Sequence, residues 1–425
     1  MVDSPEIVTL PNGLRLVMTP IPSAQSAAVS FFVRVGSRDE NARTNGLSHY
    51  IEHMLFKGTE QRPTAAVISE TIEGAGGALN AFTGKEMTCY WNNLPYERVE
   101  TGIEVLADML QHSLLAPEEI ERERTVVQQE IRRAHDSPGS YVGELLSTAA
   151  YGDQPVGWPT AGSIETVQGM QRADFIDHMA AFYGASNAVL SVAGNIDPAR
   201  VREIVGREFE SLGAGQPASF DAASRARPAE YILIEPREIE QTNLALSAPG
   251  IGRGDPDRYA LDIMNTALGQ GMSSRLFTEV RERRGLAYSV SSSASRYLDI
   301  GSVSVSAGVT REHQEKALQV ITAELQRLVD EPMPAEELQR TKDYAAGSFR
   351  LSLETPMAMG QRRGTQLLMD GAIEPPDVTV ERLRAVTAED VRRVARRVFG
   401  DRRYSLAVVG PSASADRLDA ILAGG

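Results

Sequence analysis

The feature that most constrains the fold is a duplication within the 425-residue chain. Gly184 and Gly400 are 216 residues apart, and Gly194 and Gly410 keep the same spacing (400 − 184 = 410 − 194 = 216). Further pairs hold this register without a gap: Glu165 with Glu381, Asp174 with Asp390, Leu190 with Leu406, and Val192 with Val408. One register held over such a span indicates two similarly folded halves and not a tandem array of short repeats.

The duplication predicts two domains joined by a linker. The stretch 213–230 is rich in Ala, Gly, Ser and Pro, which is typical of flexible connections. We therefore expect an N-terminal domain over residues 1–212 and a homologous C-terminal domain over 231–425. Each half mixes helical patterns with strands that pair as hairpins, such as 7–10 with 14–18. The predicted fold class is α+β: two similar α/β sandwich domains, each with a largely antiparallel sheet flanked by helices.

Composition and termini exclude several classes of function. The formal net charge is −14, so no basic excess is available to neutralise the phosphates of a nucleic acid. No apolar run reaches the ~18 residues of a membrane-spanning helix, and the first residues lack the pattern of a signal peptide or presequence. Cys89 is the single cysteine, so no intrachain disulfide can form. These features predict a cytoplasmic protein with no nucleic-acid or membrane partner.

The residues that can carry chemistry are concentrated in the segment 45–58. It contains H-x-x-E-H, formed by His49, Glu52 and His53. On a helix, the two imidazoles project from one face about one turn apart, and Glu52 lies on the same side. This is the inverted order of the H-E-x-x-H arrangement in zinc peptidases. The alternative is a partly buried helix that carries two unrelated histidines.

The local pattern predicts a helix under both interpretations. Thr44 or Asn45 can cap its start, and Gly58 can end it. A buried stripe is formed by Leu47, Ile51, Met54 and Leu55. The corresponding stretch of the second half, near 257–268, contains no histidine, so only the first half can bind a metal in this way.

A catalytic zinc usually takes a third protein ligand, and the predicted helix 117–135 offers two carboxylates for it. Glu123 and Glu130 follow a core-facing stripe with Ile120, Val127 and Ile131. Burial of carboxylates is costly unless a metal or another cation lies nearby. The alternative is an exposed, charge-rich helix whose wet side carries Glu118, Glu119, Glu121 and Arg124, and the pattern alone does not decide between the two.

Together these residues resemble the pitrilysin and insulinase family of inverted-motif zinc peptidases. Within it, the chain is most similar to the branch of the mitochondrial processing peptidase and its bacterial relatives. The resemblance covers essentially the whole chain. It rests on the segments His49-x-x-Glu52-His53, Glu123 with Glu130, Gly77 to Thr83, Gly271 to Phe277, and Arg281 to Tyr288.

The resemblance implies a role for each residue of the first half. His49, His53 and Glu130 are implied to hold one Zn²⁺ per chain. Glu52 is implied to be the general base, which takes a proton from the attacking water and returns it to the leaving amine. Glu123 is implied to orient or tune the site from behind the ligands.

Four further residues are implied to contact the substrate. Asn80 and Ala81 resemble edge-strand residues that bind a peptide main chain as an added strand, with the Asn80 side chain on a peptide carbonyl. Arg281 and Tyr288 resemble the cationic and hydroxyl donors that bind substrate and stabilise the oxyanion. Taken alone, Asn80 reads as a turn residue, Arg281 as part of a basic surface helix and Tyr288 as a core aromatic.

The family also implies an assembly. Related proteins form a four-domain clamshell, and those of this length pair two subunits to build it. Because this chain has both the zinc motif and the Arg/Tyr pair, we expect a homodimer with two sites, in which Arg281 and Tyr288 face the partner's zinc. Gly269 and Gly271 mark either a turn or a flexible peptide-binding loop.

The predicted function is a zinc-dependent endopeptidase that hydrolyses extended or unfolded peptides inside an enclosed chamber, in the manner of a processing peptidase. The alternative is a catalytically silent structural or partner subunit of a peptidase complex, although such members typically lose part of H-x-x-E-H. A purely structural zinc site would need a closed shell of four ligands, and no fourth His or Cys stands out.

Overall fold

The structure is a computed structural model that describes residues 4–217, 219 and 221–424. The first half contains the strands β1 (Glu6–Thr9), β2 (Arg15–Pro20), β3 (Ser26–Val33), β4 (Ala78–Thr83), β5 (Thr88–Pro95) and β6 (Ala188–Gly194). Its helices are α1 (Leu47–Met54), α2 (Ala65–Glu73), α3 (Val99–His112), α4 (Pro117–Asp136), α5 (Pro138–Tyr151), α6 (Ile164–Gly169), α7 (Arg172–Phe182) and α8 (Pro198–Glu208).

The second half repeats this mixture of elements. Its strands are β7 (Ile232–Glu235), β8 (Gln241–Pro249), β9 (Ala287–Arg296), β10 (Gly301–Thr310) and β11 (Ser405–Val409). Its helices are α9 (Arg258–Gly269), α10 (Gln314–Asp330), α11 (Ala335–Leu351), α12 (Pro356–Met369), α13 (Pro376–Ala385), α14 (Ala388–Phe399) and α15 (Ala415–Ala423), with a π-helix at Phe277–Glu282. The described residues of the predicted linker, 213–230, form no helix or strand.

Apart from the additional strand β1, the two sheets share one topology, which confirms the predicted fold class. The first has the strand order β1-β2-β6-β3-β5-β4 and the second β7-β11-β8-β10-β9. In each sheet one pair is parallel, β2 with β6 and β7 with β11, and the other pairs are antiparallel. The predicted hairpin at the start of the chain is formed by β1 and β2, with Gly13 at φ +97° in its turn. None of the described helices is both long and apolar enough to cross a lipid bilayer.

The chain divides into two compact units whose bounds differ from those expected from the sequence. The first unit comprises Met1–Ile131, Pro159–Asp221 and Leu351–Glu374. The second comprises Arg132–Trp158, Ala222–Arg350 and Pro375–Gly425. The helices α5 and α12 are therefore exchanged: each packs on the sheet built mainly by the other half, α5 on β8 and β11, and α12 on β3 and β6. The exchanged helices occupy matching positions in the duplication, since Pro138 and Pro356 start them.

Each exchanged helix covers a sheet face that would otherwise be exposed. In the second unit Val142 and Leu146 of α5 pack on Ala245 and Ala407. These pairings put large side chains on the helix and small ones on the sheet. The resulting layer excludes water from the outer face of the sheet.

The first unit inverts this arrangement of large and small residues. The positions 218 residues after Val142 and Leu146 are Gly360 and Gly364 (360 − 142 = 364 − 146). Phe32 on the sheet fills the space, and a Cβ added to Gly364 would lie 2.2 Å from the Phe32 ring. The Gly360 carbonyl accepts a hydrogen bond of 2.8 Å from Ser191 Oγ. Glycine therefore lets the α12 backbone lie directly against the sheet.

The helix that carries the H-x-x-E-H motif begins later and ends earlier than a simple capping argument predicts. Gly46, at φ +98°, is the residue before α1, so the predicted caps Thr44 and Asn45 are wrong. A Cβ at Gly46 would lie 2.5 Å from the carbonyl oxygen of Ala161, which excludes larger residues there. The helix ends at Met54 and not at Gly58, because Leu55 already closes its last turn.

A distant carboxylate performs the capping. The buried Glu40 side chain accepts hydrogen bonds of 2.7 Å from the main-chain N–H groups of Gly46 and Ser48. Burial raises the pKa of Glu40 to about 7, although these hydrogen bonds oppose the shift. A carboxylate thus satisfies N–H groups that a Ser or Thr cap would otherwise take.

Candidate metal centre and active site

Helix α1 holds both histidines of the motif on one face, as their spacing predicts. The His49 and His53 ring centroids are 4.7 Å apart. On the opposite face Leu47, Tyr50, Ile51 and Met54 are buried. The Tyr50 hydroxyl donates a hydrogen bond to the main-chain carbonyl of Ile120 and thereby ties α1 to α4.

Glu130 of α4 lies beside the two imidazoles. Its carboxylate oxygens are 3.8 Å from His49 Nε2 and 3.4 Å from His53 Nε2. One ligand atom from each of the three residues lies within 4.8 Å of the other two. The Glu130 side chain is 50% exposed, whereas the two histidines are mostly buried. Three donors from two separate helices therefore converge at one accessible point.

This donor set fits a zinc ion. Ligand atoms about 2.0–2.2 Å from a tetrahedral zinc lie about 3.3–3.6 Å from one another, close to the Nε2-to-carboxylate distances of 3.4 and 3.8 Å. Two imidazoles and one carboxylate are a common set of protein ligands for catalytic zinc, and they leave a coordination position for water. Burial lowers the pKa of His49 to about 4, with the neighbouring His53 acting in the same direction, so its nitrogen lone pair is available at neutral pH.

Glu123 stands behind His53 and is itself held by a lysine. Its Oε1 lies 2.8 Å from His53 Nδ1, and its Oε2 lies 2.5 Å from Lys57 Nζ. Although burial opposes a charge on the ring, the hydrogen bonds to Glu123 and Glu130 raise the pKa of His53 to about 9. For Glu123, burial acts to raise the pKa, but the hydrogen bonds and charges of His53 and Lys57 outweigh burial, and the pKa is lowered overall. A bond to Nδ1 leaves Nε2 as the ligating nitrogen of His53.

The sequence left open whether the glutamates of α4 are buried beside a cation or exposed to solvent, and each alternative holds for one of them. Glu123 is buried and compensated by the cationic Lys57, whereas Glu130 is half-exposed. The prediction that Arg124 lies on the solvent-exposed side of α4 is wrong, because its side chain is buried. Its guanidinium donates to the main-chain carbonyls of Val167 and Met170, which attaches α4 to the C-terminal end of α6.

Glu52 lies one residue before His53 and is aimed by the end of the edge strand β4. Thr83 Oγ1 donates a hydrogen bond of 2.5 Å to Glu52 Oε2. Burial raises the pKa of Glu52, with Thr83 and His53 opposing the shift and Glu130 reinforcing it. A carboxylate with a raised pKa is a stronger proton acceptor than an exposed one, which is the property that a general base needs.

Strand β4 lies at one edge of the first sheet and, among the strands that the structure describes, pairs only with β5. The Asn80 side chain is exposed, and its Oδ1 accepts a hydrogen bond of 2.8 Å from the N–H of Ala81. The Gly84 N–H bonds to the Met87 carbonyl, so by alternation along the register Ala81 and Tyr90 form a non-hydrogen-bonded pair, and the Ala81 N–H points away from β5, toward the open edge. The edge can therefore receive another extended chain, because its main-chain groups have no strand partner on that side.

Arg281 and Tyr288 lie together in the second unit, apart in sequence and unit from the histidine motif. The Arg281 guanidinium is 4.8 Å from the Phe277 ring centroid and 5.5 Å from that of Tyr288. Tyr288 is 80% exposed, so the interpretation of this residue as a core aromatic is wrong. Of the glycines, Gly269 ends α9 and Gly271, at φ +81°, lies in the turn that follows.

Sequence reasoning missed three residues that shape this site: Glu40, Lys57 and Thr83. Lys57 is four residues after His53, a spacing that could have drawn attention to it. Thr83 lies within the segment that carries the family resemblance, but its contact with Glu52 depends on how β4 meets α1. Glu40 carries no local signal, because its partners follow it through an irregular loop.

Two family models together cover most of the chain. Residues 15–163 match the model described as insulinase (peptidase family M16), and residues 169–344 match the model described as peptidase M16 inactive domain. A zinc protease from Streptomyces coelicolor, itself described as uncharacterized, is 39% identical over 95% of this chain and 89% of its own length. The chain belongs to the M16 (insulinase) family.

Two further proteins extend the comparison. An uncharacterized zinc protease of Bacillus subtilis is 35% identical, over 95% of this chain and 98% of its own length. The crystal structure of a protease from Helicobacter pylori superposes with a TM-score of 0.89 and covers 97% of this chain and 100% of the other, at 23% identity. The likeness to the Helicobacter pylori structure shows that the fold is shared. The identity with the Bacillus subtilis protein shows that the chain is similar in sequence to a zinc protease.

Proposed function

We propose that this M16 chain is a zinc-dependent endopeptidase that hydrolyses extended or unfolded peptides. The observation that carries the proposal is the convergence of His49, His53 and Glu130 within 4.8 Å of one another. Beside this group, Glu52 is held by Thr83 at the end of an open edge strand. A metal site, a base and a main-chain binding edge are thus adjacent within one unit.

The residues take the following roles in this proposal. His49, His53 and Glu130 would hold the zinc, and Glu123 fixes the orientation of the His53 ring through Nδ1. Zinc, when bound, supplies Lewis-acid chemistry that polarises a peptide carbonyl and makes water more acidic. Glu52 accepts a proton from the attacking water and delivers it to the leaving amine.

Substrate binding follows from the edge strand. A peptide that adds to β4 in extended form pairs with main-chain groups such as the Ala81 N–H, once Asn80 Oδ1 releases it. The Asn80 amide then becomes available to a substrate carbonyl. Folded proteins do not present such strands, so the proposal favours unfolded or oligopeptide substrates, as for a processing peptidase.

We further propose a cytoplasmic homodimer that encloses the substrate in a chamber, with Arg281 and Tyr288 acting on the partner's site. What supports the shared site is the adjacency of the two side chains and the exposure of Tyr288. Mixing Arg281→Ala chains with Glu52→Gln chains tests it. In a mixed dimer one site has an intact Glu52 from one chain and an intact Arg281 from the other, so activity should be recovered. No recovery would argue against a shared site.

The main experiment is cleavage of a peptide library by purified protein, read by mass spectrometry, with and without a chelator and with zinc restored. Glu52→Gln should abolish cleavage while zinc content, measured by elemental analysis, stays at that of the unaltered chain. Glu70→Gln, on the exposed face of α2, is the matched control and should cleave normally. Full cleavage by Glu52→Gln contradicts the role of Glu52. Zinc binding without any cleavage by the unaltered chain favours a silent partner subunit.

A further inference from the structure

A cavity of about 270 Å³ lies within the second unit, and four arginines line it. They are Arg225 and Arg227 from the segment before β7, Arg397 from α14, and Arg403 just before β11. Among the residues that the structure describes, no aspartate or glutamate is part of the lining. In a chain with a net charge of −14, this concentration of positive charge is unusual.

Three of the four guanidinium groups are bonded to neutral carbonyl oxygens. Arg225 donates to the main-chain carbonyl of Asp299 at 2.6 Å, and Arg403 donates to that of Arg225 at 2.8 Å. Arg227 donates to the carbonyl of Tyr404 at 2.7 Å. No described carboxylate lies within ion-pair distance of these three groups. Like charges gathered at one cavity repel one another, so their arrangement favours an anion between them.

Arg397 provides the contrast within the cavity itself. It lies 2.8 Å from a carboxylate oxygen of Asp255 and 2.5 Å from one of Asp257. Its charge is therefore balanced by the protein, unlike that of the other three. Arg225, Arg227 and Arg403 have no described carboxylate at ion-pair distance; Asp255 acts on Arg225 only from farther away, and the Arg227 guanidinium stacks on the Tyr231 ring, 3.3 Å from its centroid.

In the corresponding region of the first unit, carboxylates balance the charges of the arginines. There, the loop that follows β3 matches the loop that follows β8, which lines the cavity. Arg38 in that loop pairs with Glu86 at 2.8 Å, and Arg34 pairs with Asp39 at 3.5 Å. The duplicated fold thus places arginines near this end of both sheets, but in the second unit Asp255 and Asp257 pair with Arg397 and leave Arg225, Arg227 and Arg403 without an ion pair among the described residues.

The donors around the cavity come from several directions. Besides the guanidinium groups, the largely buried Ser302 and Ser405, at the starts of β10 and β11, contribute hydroxyls. A tetrahedral oxyanion accepts hydrogen bonds on several sides, whereas a planar carboxylate accepts them in one plane. The volume lies just below the about 300–1,000 Å³ of drug-sized pockets, so it suits a small ligand. We propose that this cavity binds the phosphate group of inorganic phosphate or of a small phosphate ester.

The first test is binding to the full-length protein. Titration with inorganic phosphate and with glycerol phosphate, at about pH 8 where phosphate groups carry close to two charges, is followed by calorimetry and by melting temperature. Sodium acetate and sodium chloride at equal ionic strength are the comparison. Phosphate should bind and raise the melting temperature, while acetate and chloride should not. Binding of only one of the two phosphate compounds identifies the source. Equal effects of phosphate and acetate, or none, overturn the proposal.

The second test places the ligand in the cavity. Arg403→Gln should weaken phosphate binding by at least about tenfold, the usual size for loss of a hydrogen bond between charged groups. Arg392→Gln is the matched control, because Arg392 also donates to main-chain carbonyls in this unit, those of Val329 and Asp330, but lies outside the cavity lining. Ser405→Ala, a smaller change, replaces Arg403→Gln if that variant does not fold. Unchanged affinity in the cavity variants overturns the proposal.

The third test separates this site from the candidate metal centre, because zinc also attracts phosphate. Glu130→Gln removes one of the proposed metal ligands from the first unit. Phosphate affinity should stay within about twofold of that of the unaltered chain, since independent sites behave additively. Loss of phosphate binding in Glu130→Gln would assign the anion to the metal centre and overturn the proposal.

Discussion

The two units of this molecule share a sheet topology, yet only the first brings metal-binding side chains together. The helices α1 and α9 correspond in the duplication, but α9 carries no histidine. The positions 218 residues after Glu123 and Glu130 hold Thr341 and Ser348, in the register in which Glu119 matches Glu337 (337 − 119 = 348 − 130). A handful of side chains thus distinguishes a candidate catalytic unit from its non-metal counterpart on one fold.

The largest expected effect is the loss of metal binding, the property that distinguishes the first unit from the second. Glu130→Gln replaces a charged donor by a neutral one and should weaken zinc binding by more than the about 10–100-fold that loss of an outer partner causes. Competition with a chromogenic chelator measures the affinity. The control is Glu118→Gln on the same helix, where the side chain is exposed and the affinity should not change. Equal affinities of the two variants would contradict the assignment of Glu130 as a ligand.

The second prediction sharpens the contrast between the exchanged helices. Leu146→Ala should lower the free energy of unfolding by about 2–5 kcal/mol, because it leaves a cavity above Ala245 and Ala407. Gly364→Ala should also destabilise, by about 1–3 kcal/mol, because the added Cβ would lie 2.2 Å from the Phe32 ring. Urea unfolding measures both.

The control for this pair is Gly347→Ala on α11, where an added Cβ meets no atom within 4 Å. It should be neutral or stabilise by up to about 1 kcal/mol through helix propensity. A Gly364→Ala variant as stable as Gly347→Ala would show that α12 does not lie against Phe32 as closely as described.

The third prediction concerns the acids near the starts of α1 and α9, whose pKa values shift in opposite directions. Glu40 has a pKa raised from 4.5 to about 7 by burial, so its ionisation opposes folding. The free energy of unfolding should therefore fall as pH rises through this range, by about 3 kcal/mol at 1.36 kcal/mol per pH unit. Asp257 has a lowered pKa because Arg393 and Arg397 hold it, although burial opposes this shift. Its contribution is present above its ordinary pKa of 3.8 and is lost as pH falls.

Urea unfolding between about pH 3 and pH 8 compares the two acids. Glu40→Gln should flatten the fall in stability between about pH 4.5 and pH 7, and Asp257→Asn should reduce the loss of stability at acid pH. Parallel pH profiles for the unaltered chain and Glu40→Gln would contradict a raised pKa for Glu40.

The smallest expected effect tests Lys57, the cation behind Glu123. Lys57→Met removes the charge that compensates the buried carboxylate and should weaken zinc binding about tenfold, through a less firmly held His53. Lys57→Arg keeps the charge and should restore most of the affinity. If Lys57→Arg binds zinc no better than Lys57→Met, the charge of Lys57 does not contribute to zinc binding and the side chain acts only by packing.

Local patterns predicted the elements of the fold well, because hydrophobic periodicity and turn residues act within a few positions. The i, i+4 spacing places His49 and His53 on one face of α1, and the hairpin predicted over 7–10 and 14–18 forms as β1 and β2. The convergence of Glu130 with these histidines was expected from the family resemblance, since periodicity left the exposure of α4 undecided. Periodicity could not settle it, because Glu123 and Glu130 share a stripe yet differ in burial.

The features that sequence could not supply depend on contacts between distant segments. Glu40 caps α1 in place of Thr44 or Asn45, because Gly46 must lie close to Ala161. The exchange of α5 and α12 leaves no compositional mark, since the first boundary between the units falls inside the continuous helix α4. The packing of Gly364 on Phe32, and of Leu146 on small residues, shows which sheet each helix covers.

The exchange has a consequence for dissecting the protein. A fragment cut at the linker would carry α5 without β8 and β11 to receive it, and would leave Phe32 and Val189 on a bare sheet face. The complementary fragment would have the reverse defect. Each half is therefore an incomplete folding unit, and a gene split at residues 213–230 should yield aggregating pieces unless both are produced together.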